Sequence, residues 1–226
     1  MPPWSRVMSR LGALALDIAA PRACAACDAD LACPADFCEH CSAELPNPPI
    51  PRLSSLHCGP IVASAGAYTG PLARAIRRLK YDNRPDLAEP LARLAAPALE
   101  ALVSAGGLPP GGRLIPVPLH QQRLAARGFN QAALIAGHLA RLSGRSALPL
   151  ALRRRHDTRR QASLGRADRL ENLRGAFHSR ASSTPAPVIL VDDVVTTGAT
   201  LSACVEALEE AGNMVVGIVT IARTLC

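Results

Sequence analysis

VILVDDVVTTGAT, Val188 to Thr200, is the stretch whose reading decides the fold. Val188–Val191 is a short apolar run rich in β-branched residues, the pattern of a strand buried on both faces. Two adjacent carboxylates follow it, Asp192 and Asp193. After two more valines comes a tract of small residues, Thr196-Thr197-Gly198-Ala199-Thr200. From Thr200 to Ala211 the period becomes helical, with Leu201, Cys204, Val205 and Leu208 on one face and Gly212 as the C-cap. Val215–Ile221 supplies another continuous apolar strand. Strand, helix, strand in that order predicts an α/β fold with a mostly parallel sheet flanked by helices. Such open sheets bind ligands beyond the carboxyl ends of their strands, where the two acids fall.

The chemistry of the stretch is divided. A helix N-terminus presents unpaired N–H groups and the positive end of its dipole, which suits phosphate. Small residues let the backbone approach that anion. Gly198 admits geometries closed to other residues, and Thr196, Thr197 and Thr200 add hydroxyl donors. The carboxylates cannot hold the same phosphate. They suit sugar hydroxyls and a divalent cation with a preference for oxygen, such as magnesium. Phosphate, hydroxyls and magnesium together describe a phosphorylated sugar. A merely N-capped helix with solvated aspartates is the plainer reading, but it leaves the whole combination to coincidence. The loop has no lysine for a Walker motif, and the chain has no G-x-G-x-x-G.

Upstream, helices are expected over Pro71–Lys80 (Leu72, Ile76 and Leu79 on one face), over Asp86–Val103 with Pro90 and Pro97 inside it, and over Asn130–Leu142. Arg113–Pro118 reads as a short apolar strand closed by prolines. Prolines at 46, 48, 49 and 51 mark a linker from 46 to 58. The expected organisation is an N-terminal segment (1–45), that linker, and a ligand-binding domain (59–226).

Six of the eight cysteines lie between 24 and 58. Four form Cys24-Ala-Ala-Cys27 and Cys38-Glu-His-Cys41, two knuckles whose thiolates can converge on one ion. Four cysteines close a tetrahedral site with no open position, so residues 1–45 are expected to be an N-terminal helix plus a small zinc ribbon that holds structural zinc. A disulfide scaffold would need an oxidising compartment, and a redox motif would need only one C-x-x-C. Cys33 and Cys58, the latter beside His57, belong to no second knuckle. Cys204 falls on the core face of its helix.

Hydrophobic residues make up 49% of the chain and aromatics 3%, so the core must be aliphatic and alanine-rich. The net charge is +7, and of 25 basic residues only Lys80 is a lysine. Arginine favours bidentate contact with phosphate and carboxylate, although G+C-rich codon usage enriches it as well. The first 25 residues imitate a signal peptide. Asp17 interrupts the apolar run, however, and Val7, Leu11, Leu14 and Ile18 recur at the spacing of an amphipathic helix. No apolar run is long enough to span a bilayer. The expectation is a cytoplasmic protein without membrane insertion.

VDDVVTTGAT resembles the phosphoribosyl-pyrophosphate (PRPP) signature of type I phosphoribosyltransferases. Combined with the cysteine knuckles, IPVPLHQQRLAARGFNQA (115–132) and RRQASLGRADRLENLRGAF (159–177), it resembles the ComF family of competence-associated, phosphoribosyltransferase-like proteins. Nearly the whole chain is covered. Many relatives carry further metal-binding cysteines near position 58, whereas this chain keeps one, so a single zinc site is expected. The resemblance implies that Asp192 and Asp193 bind ribose hydroxyls and magnesium, and that Thr196, Thr197, Gly198, Ala199 and Thr200 cradle the 5′-phosphate. It also implies a pyrophosphate loop around Pro118–Arg123, with Arg123 and Arg127 neutralising charge. Asp192, Asp193, Arg123 and Arg127 would be the catalytic set of a transferase.

Eight arginines lie between Arg153 and Arg174 against Asp157, Asp168 and Glu171. A solvated surface, a loop closing over pyrophosphate, or a track for a nucleic-acid backbone all fit this charge run. Gln161, Arg169 and Asn172 match the family pattern without a derivable role. The implied partners are PRPP or a related ribose phosphate, single-stranded DNA, and competence helicase or recombination proteins. Two functions stay open: phosphoribosyl transfer tied to DNA uptake or nucleotide metabolism, or a non-catalytic PRPP-sensing or DNA-handling role.

Overall fold

The computed structural model describes residues 23–33, 35–45, 52–56, 59–106, 112–154, 175–179 and 186–225. The expected N-terminal amphipathic helix, Cys58 with His57, and most of the basic segment, including Gln161, Arg169 and Asn172, lie outside them.

In chain order the described elements begin with a short helix α1 (Glu39–Ala43) and strands β1 (Arg52–Ser55) and β2 (Ile61–Ala67). Helix α2 (Gly70–Tyr81), a 3-10 turn (Pro85–Leu87) and helix α3 (Ala88–Gly106) lead to β3 (Arg113–Pro116). Helices α4 (Gln121–Arg127) and α5 (Gln131–Ser143) come next, then the short strands β4 (Leu152–Arg154) and β5 (Phe177–Ser179). Strand β6 (Pro187–Val195), helix α6 (Ala199–Glu210) and strand β7 (Met214–Arg223) complete the order. Five strands form one sheet in the order β1-β2-β7-β6-β3. The β2–β7, β7–β6 and β6–β3 pairs are parallel, and β1 is an antiparallel edge. Strands β4 and β5 pair antiparallel as a separate ribbon.

The sheet separates two apolar layers. On one face, Leu72, Ala75, Ile76 and Leu79 of α2, Leu91, Ala95, Leu99 and Leu102 of α3, and Ile135, Ala136 and Leu139 of α5 pack over Ile189, Val191, Val219 and Ile221. On the other, Leu201, Cys204, Val205 and Leu208 of α6 cover Leu190, Ile218, Val62 and Ile115. Cys204 is fully buried, as its helical position requires. With so few aromatics, the layers close through small residues. A Cβ on Gly217 would fall 2.6 Å from Leu102, which measures how near α3 lies to β7. Pro97 costs α3 an internal hydrogen bond, yet the helix runs through it because Ala95, Ala98, Leu99 and Leu102 are buried around it.

Several expectations shift. Strand β6 does not end at Val191: its pairing with β7 continues from Asp192↔Thr220 to Val195↔Arg223. The acids therefore lie within a strand. The apolar run stops at the two acids, whereas the ladder depends on backbone groups that any residue supplies. Arg52–Ser55, inside the stretch expected as linker, is the edge strand β1. The Ala- and Gly-rich strand β2 carried no sequence signal for a strand and is held by β7 on one side and β1 on the other.

Candidate functional site

Period-two alternation sends adjacent residues of a strand to opposite faces. Asp192 stands in the cross-strand row Ser64–Thr220–Asp192, on the α6 face. Ser64 and Thr220 are fully buried and hydrogen-bond each other at 2.7 Å. Asp192 is half-buried, and its Oδ1 accepts from the Asp193 N–H at 2.8 Å. Burial pushes the Asp192 carboxyl up to about 7, although the Lys80 charge opposes the shift.

Asp193 points to the α2 face and is 3% exposed. Its Oδ1 accepts from the Val194 N–H at 2.9 Å, and its Oδ2 forms an ion pair with the Lys80 ammonium. Lys80 was unassigned by the sequence because it occurs in the last turn of an ordinary amphipathic helix. Its only signal was to be the single lysine of an arginine-rich chain. Burial lowers its pKa to about 8; Asp192 works against that shift, while Arg127 and Arg123 add to it.

Lys80 also lines a cleft of about 630 Å³ together with Tyr81, Asn83, Arg123, Arg127 and Gly128. The turn expected over Pro118–Arg123 is shorter than that, because helix α4 begins at Gln121 with His120 as its N-cap. Arg123 and Arg127 are thus one helical turn apart on α4 and reach the same cleft. Arg127 donates to Gln131 Oε1 and lies 5.6 Å over the Tyr81 ring. Gly128, at φ +80°, ends α4, and Asn130 starts α5 by accepting from the Ala132 N–H. The Asn130 amide also donates to the Val117 carbonyl at 3.0 Å, tying this turn to the end of β3.

At the end of β6 the chain turns into α6 through Gly198, at φ +80°. Thr196 and Thr197 are exposed, Gly198 and Ala199 are buried, and Thr200 is half-buried. Thr197 Oγ1 accepts from the Ala199 N–H at 3.5 Å, a weak bond across the turn. Leu56, at the end of β1, covers Gly198 closely enough that a Cβ there would sit 2.5 Å from its Cδ2.

The four predicted cysteine ligands come together. The sulfurs of Cys24, Cys27, Cys38 and Cys41 lie within 4.8 Å of one another, and Cys27 and Cys38 are 3.7 Å apart. Thiolates arranged tetrahedrally at about 2.3 Å from zinc stand about 3.8 Å apart, so the cluster fits a metal such as zinc. Helix α2 holds this segment. Arg78 donates to the Cys24 and Ala25 carbonyls at 3.0 Å each and pairs with Asp28, while Arg74 reaches Cys41 Sγ at 3.6 Å.

A mostly parallel sheet in which β6 carries paired acids near its carboxyl end and then turns through a glycine into a helix is the framework of a phosphoribosyltransferase-type protein. Residues 126–226 match the phosphoribosyl transferase domain family. Competence protein F of Haemophilus influenzae is 33% identical over 188 residues, covering 78% of this chain and 80% of that protein. DNA utilization protein YhgH of Salmonella typhi is 31% identical over 192 residues, 84% and 85% of the respective chains. Competence protein ComFC of Streptococcus pneumoniae is 35% identical over 100 residues, 44% of this chain and 43% of that one. The chain belongs to the ComF family. Among the described residues, no helix is long and apolar enough to cross a membrane.

Proposed function

We propose that this protein binds PRPP, or a closely related ribose phosphate, with magnesium, and that its cysteine cluster holds structural zinc. The carrying observation is what meets at the carboxyl end of β6. Asp192 stands on the strand, the glycine turn opens α6, and Lys80 at Asp193 leads into a cleft lined by Arg123 and Arg127. The turn Thr196–Thr200 would take the 5′-phosphate through its N–H groups and hydroxyls. Carboxylate oxygen would take ribose hydroxyls and the cation. Magnesium, when bound, would supply charge neutralisation for the phosphate groups. In a transfer reaction the chain's own contribution would be positioning, together with cationic stabilisation of the departing diphosphate by the cleft.

The relatives named for competence and DNA utilization support a place for this binding in the uptake or use of DNA. Calorimetric titration of the full chain with PRPP and magnesium tests the site. The wild type should bind, and Asp192→Asn should weaken binding roughly tenfold or more, the scale of a lost charge-assisted contact. Equal affinity in the two proteins overturns the assignment.

A further inference from the structure

We propose that Lys80 binds the diphosphate end of the ligand, and that Asp193 is a positioning residue for Lys80 and makes no contact with the sugar. This rests on the ribose-phosphate reading above and divides the two acids between different tasks.

Both oxygens of Asp193 are already engaged. The residue is 3% exposed, one oxygen accepts from the Val194 N–H, and the other has the Lys80 ammonium as its only partner among the described residues. Drawing Asp193 away to a ribose hydroxyl would leave the 18%-exposed Lys80 without its contact ion-pair partner, a costly loss at a buried site. Asp192, half-buried on the opposite face of β6, feels the Lys80 charge but is not its contact partner, so it can turn to a ligand without breaking that ion pair.

Lys80 also stands beside two further cations. It lies in the last turn of α2, at the wall of the cleft that Arg123 and Arg127 line from α4. Arg127 is held by Gln131 and the Tyr81 ring, and Lys80 by Asp193, so two of the three cations are positioned by the fold itself. Three cations converging on one cavity suit an anion that carries several charges, and a diphosphate is such a group.

The residue type suits this position as well. In a chain with 25 basic residues, lysine occurs only here. An ammonium is compact and carries three N–H donors. One can stay on Asp193 while the others face the cleft. A planar guanidinium is wider and presents its donors in a rigid fork.

The test compares wild type, Lys80→Met, Asp193→Asn, the double variant and Asp192→Asn. Two probes are titrated separately with magnesium: inorganic diphosphate and ribose 5-phosphate. Lys80→Met should weaken diphosphate binding roughly tenfold or more and change ribose 5-phosphate binding by less than about twofold. Asp193→Asn should weaken diphosphate in the same sense, and the double variant should be no weaker than Lys80→Met alone, because Asp193 acts only through Lys80. Asp192→Asn should show the reverse preference.

Where a single substitution strands a buried charge and the fold is lost, the neutral double variant carries the comparison. Unchanged diphosphate affinity in Lys80→Met, additive losses in the double variant, or selective loss of ribose 5-phosphate in Asp193→Asn would each overturn the assignment. If the wild type binds diphosphate but not ribose 5-phosphate, the ribose-phosphate reading fails while the role of Lys80 stands. If it binds neither, both fail.

Discussion

Replacing Gly198 with alanine probes the turn that opens α6 and the side chain that covers it. Gly198 sits at φ +80° and ψ −5°. A left-handed conformation costs an L-residue roughly 1–2 kcal/mol. The added methyl would also meet Leu56 Cδ2 at 2.5 Å, whereas carbon atoms rest about 3.5–4.0 Å apart. Overpacking costs about 1–3 kcal/mol, and the lower end applies because the contact is the tip of a leucine that can turn. The expected destabilisation is therefore about 2–4 kcal/mol in total.

Urea unfolding followed by circular dichroism measures it, as a lower midpoint at unchanged slope. Repeating the substitution in a Leu56→Ala background removes the steric part and leaves roughly 1–2 kcal/mol for the backbone. A cost below about 0.5 kcal/mol, the range of an unremarkable surface change, would refute the left-handed turn. Equal costs in the two backgrounds would refute the Leu56 contact.

Gly217→Ala places a Cβ 2.6 Å from Leu102 on α3 and should destabilise by about 1–3 kcal/mol; a neutral effect in the same unfolding assay would mean α3 does not press on β7 as described. Metal analysis of reduced protein should find one zinc per chain, and Cys41→Ser should lose it; retention of full occupancy would contradict the four-cysteine site. Arg78→Met removes the donor to the Cys24 and Ala25 carbonyls and should cost about 1–3 kcal/mol, read as earlier zinc release to a chelator on titration with denaturant. Asp192 gives a pH dependence. Its folded-state pKa of about 7 lies above the ordinary 3.8, so between those values the native state holds a proton that the unfolded state has lost. Its contribution to stability is full below about pH 4 and falls as pH rises to about 7. Asp192→Asn should flatten that slope, and parallel wild-type and mutant profiles would refute the burial of this carboxyl.

The parallel layout was legible because β6, α6 and β7 each bury a continuous or periodic apolar pattern. Leu190 and Leu208 lie where hydrophobic periodicity alone would put them. The cysteine spacing was equally direct, since two-residue knuckles bring thiolates together by local geometry. Strand β2 was not legible: Ile61–Ala67 is mostly small residues, and its strand character comes from ladders to β7 and β1. Nor was α4, whose seven residues bury none of their side chains. Its limits come from the His120 N-cap and from Gly128, and neither cap stands beside an apolar stripe that would announce a helix.

By itself, the sequence of this protein determined which residues carry charge and where backbone geometry must be unusual. Asp192, Asp193, Gly198 and the four cysteines all announce themselves by type and spacing. Only the tertiary structure decided their partners. Pleating separates Asp192 from Asp193, although they are neighbours in the chain, and the packing of α2 on β6 brings Lys80 to Asp193 across 113 positions of sequence. Local patterns record what a residue is suited to do. The choice between a sugar contact and a buried counter-ion depends on which face of a strand meets which helix, and that follows from the packing of the whole sheet.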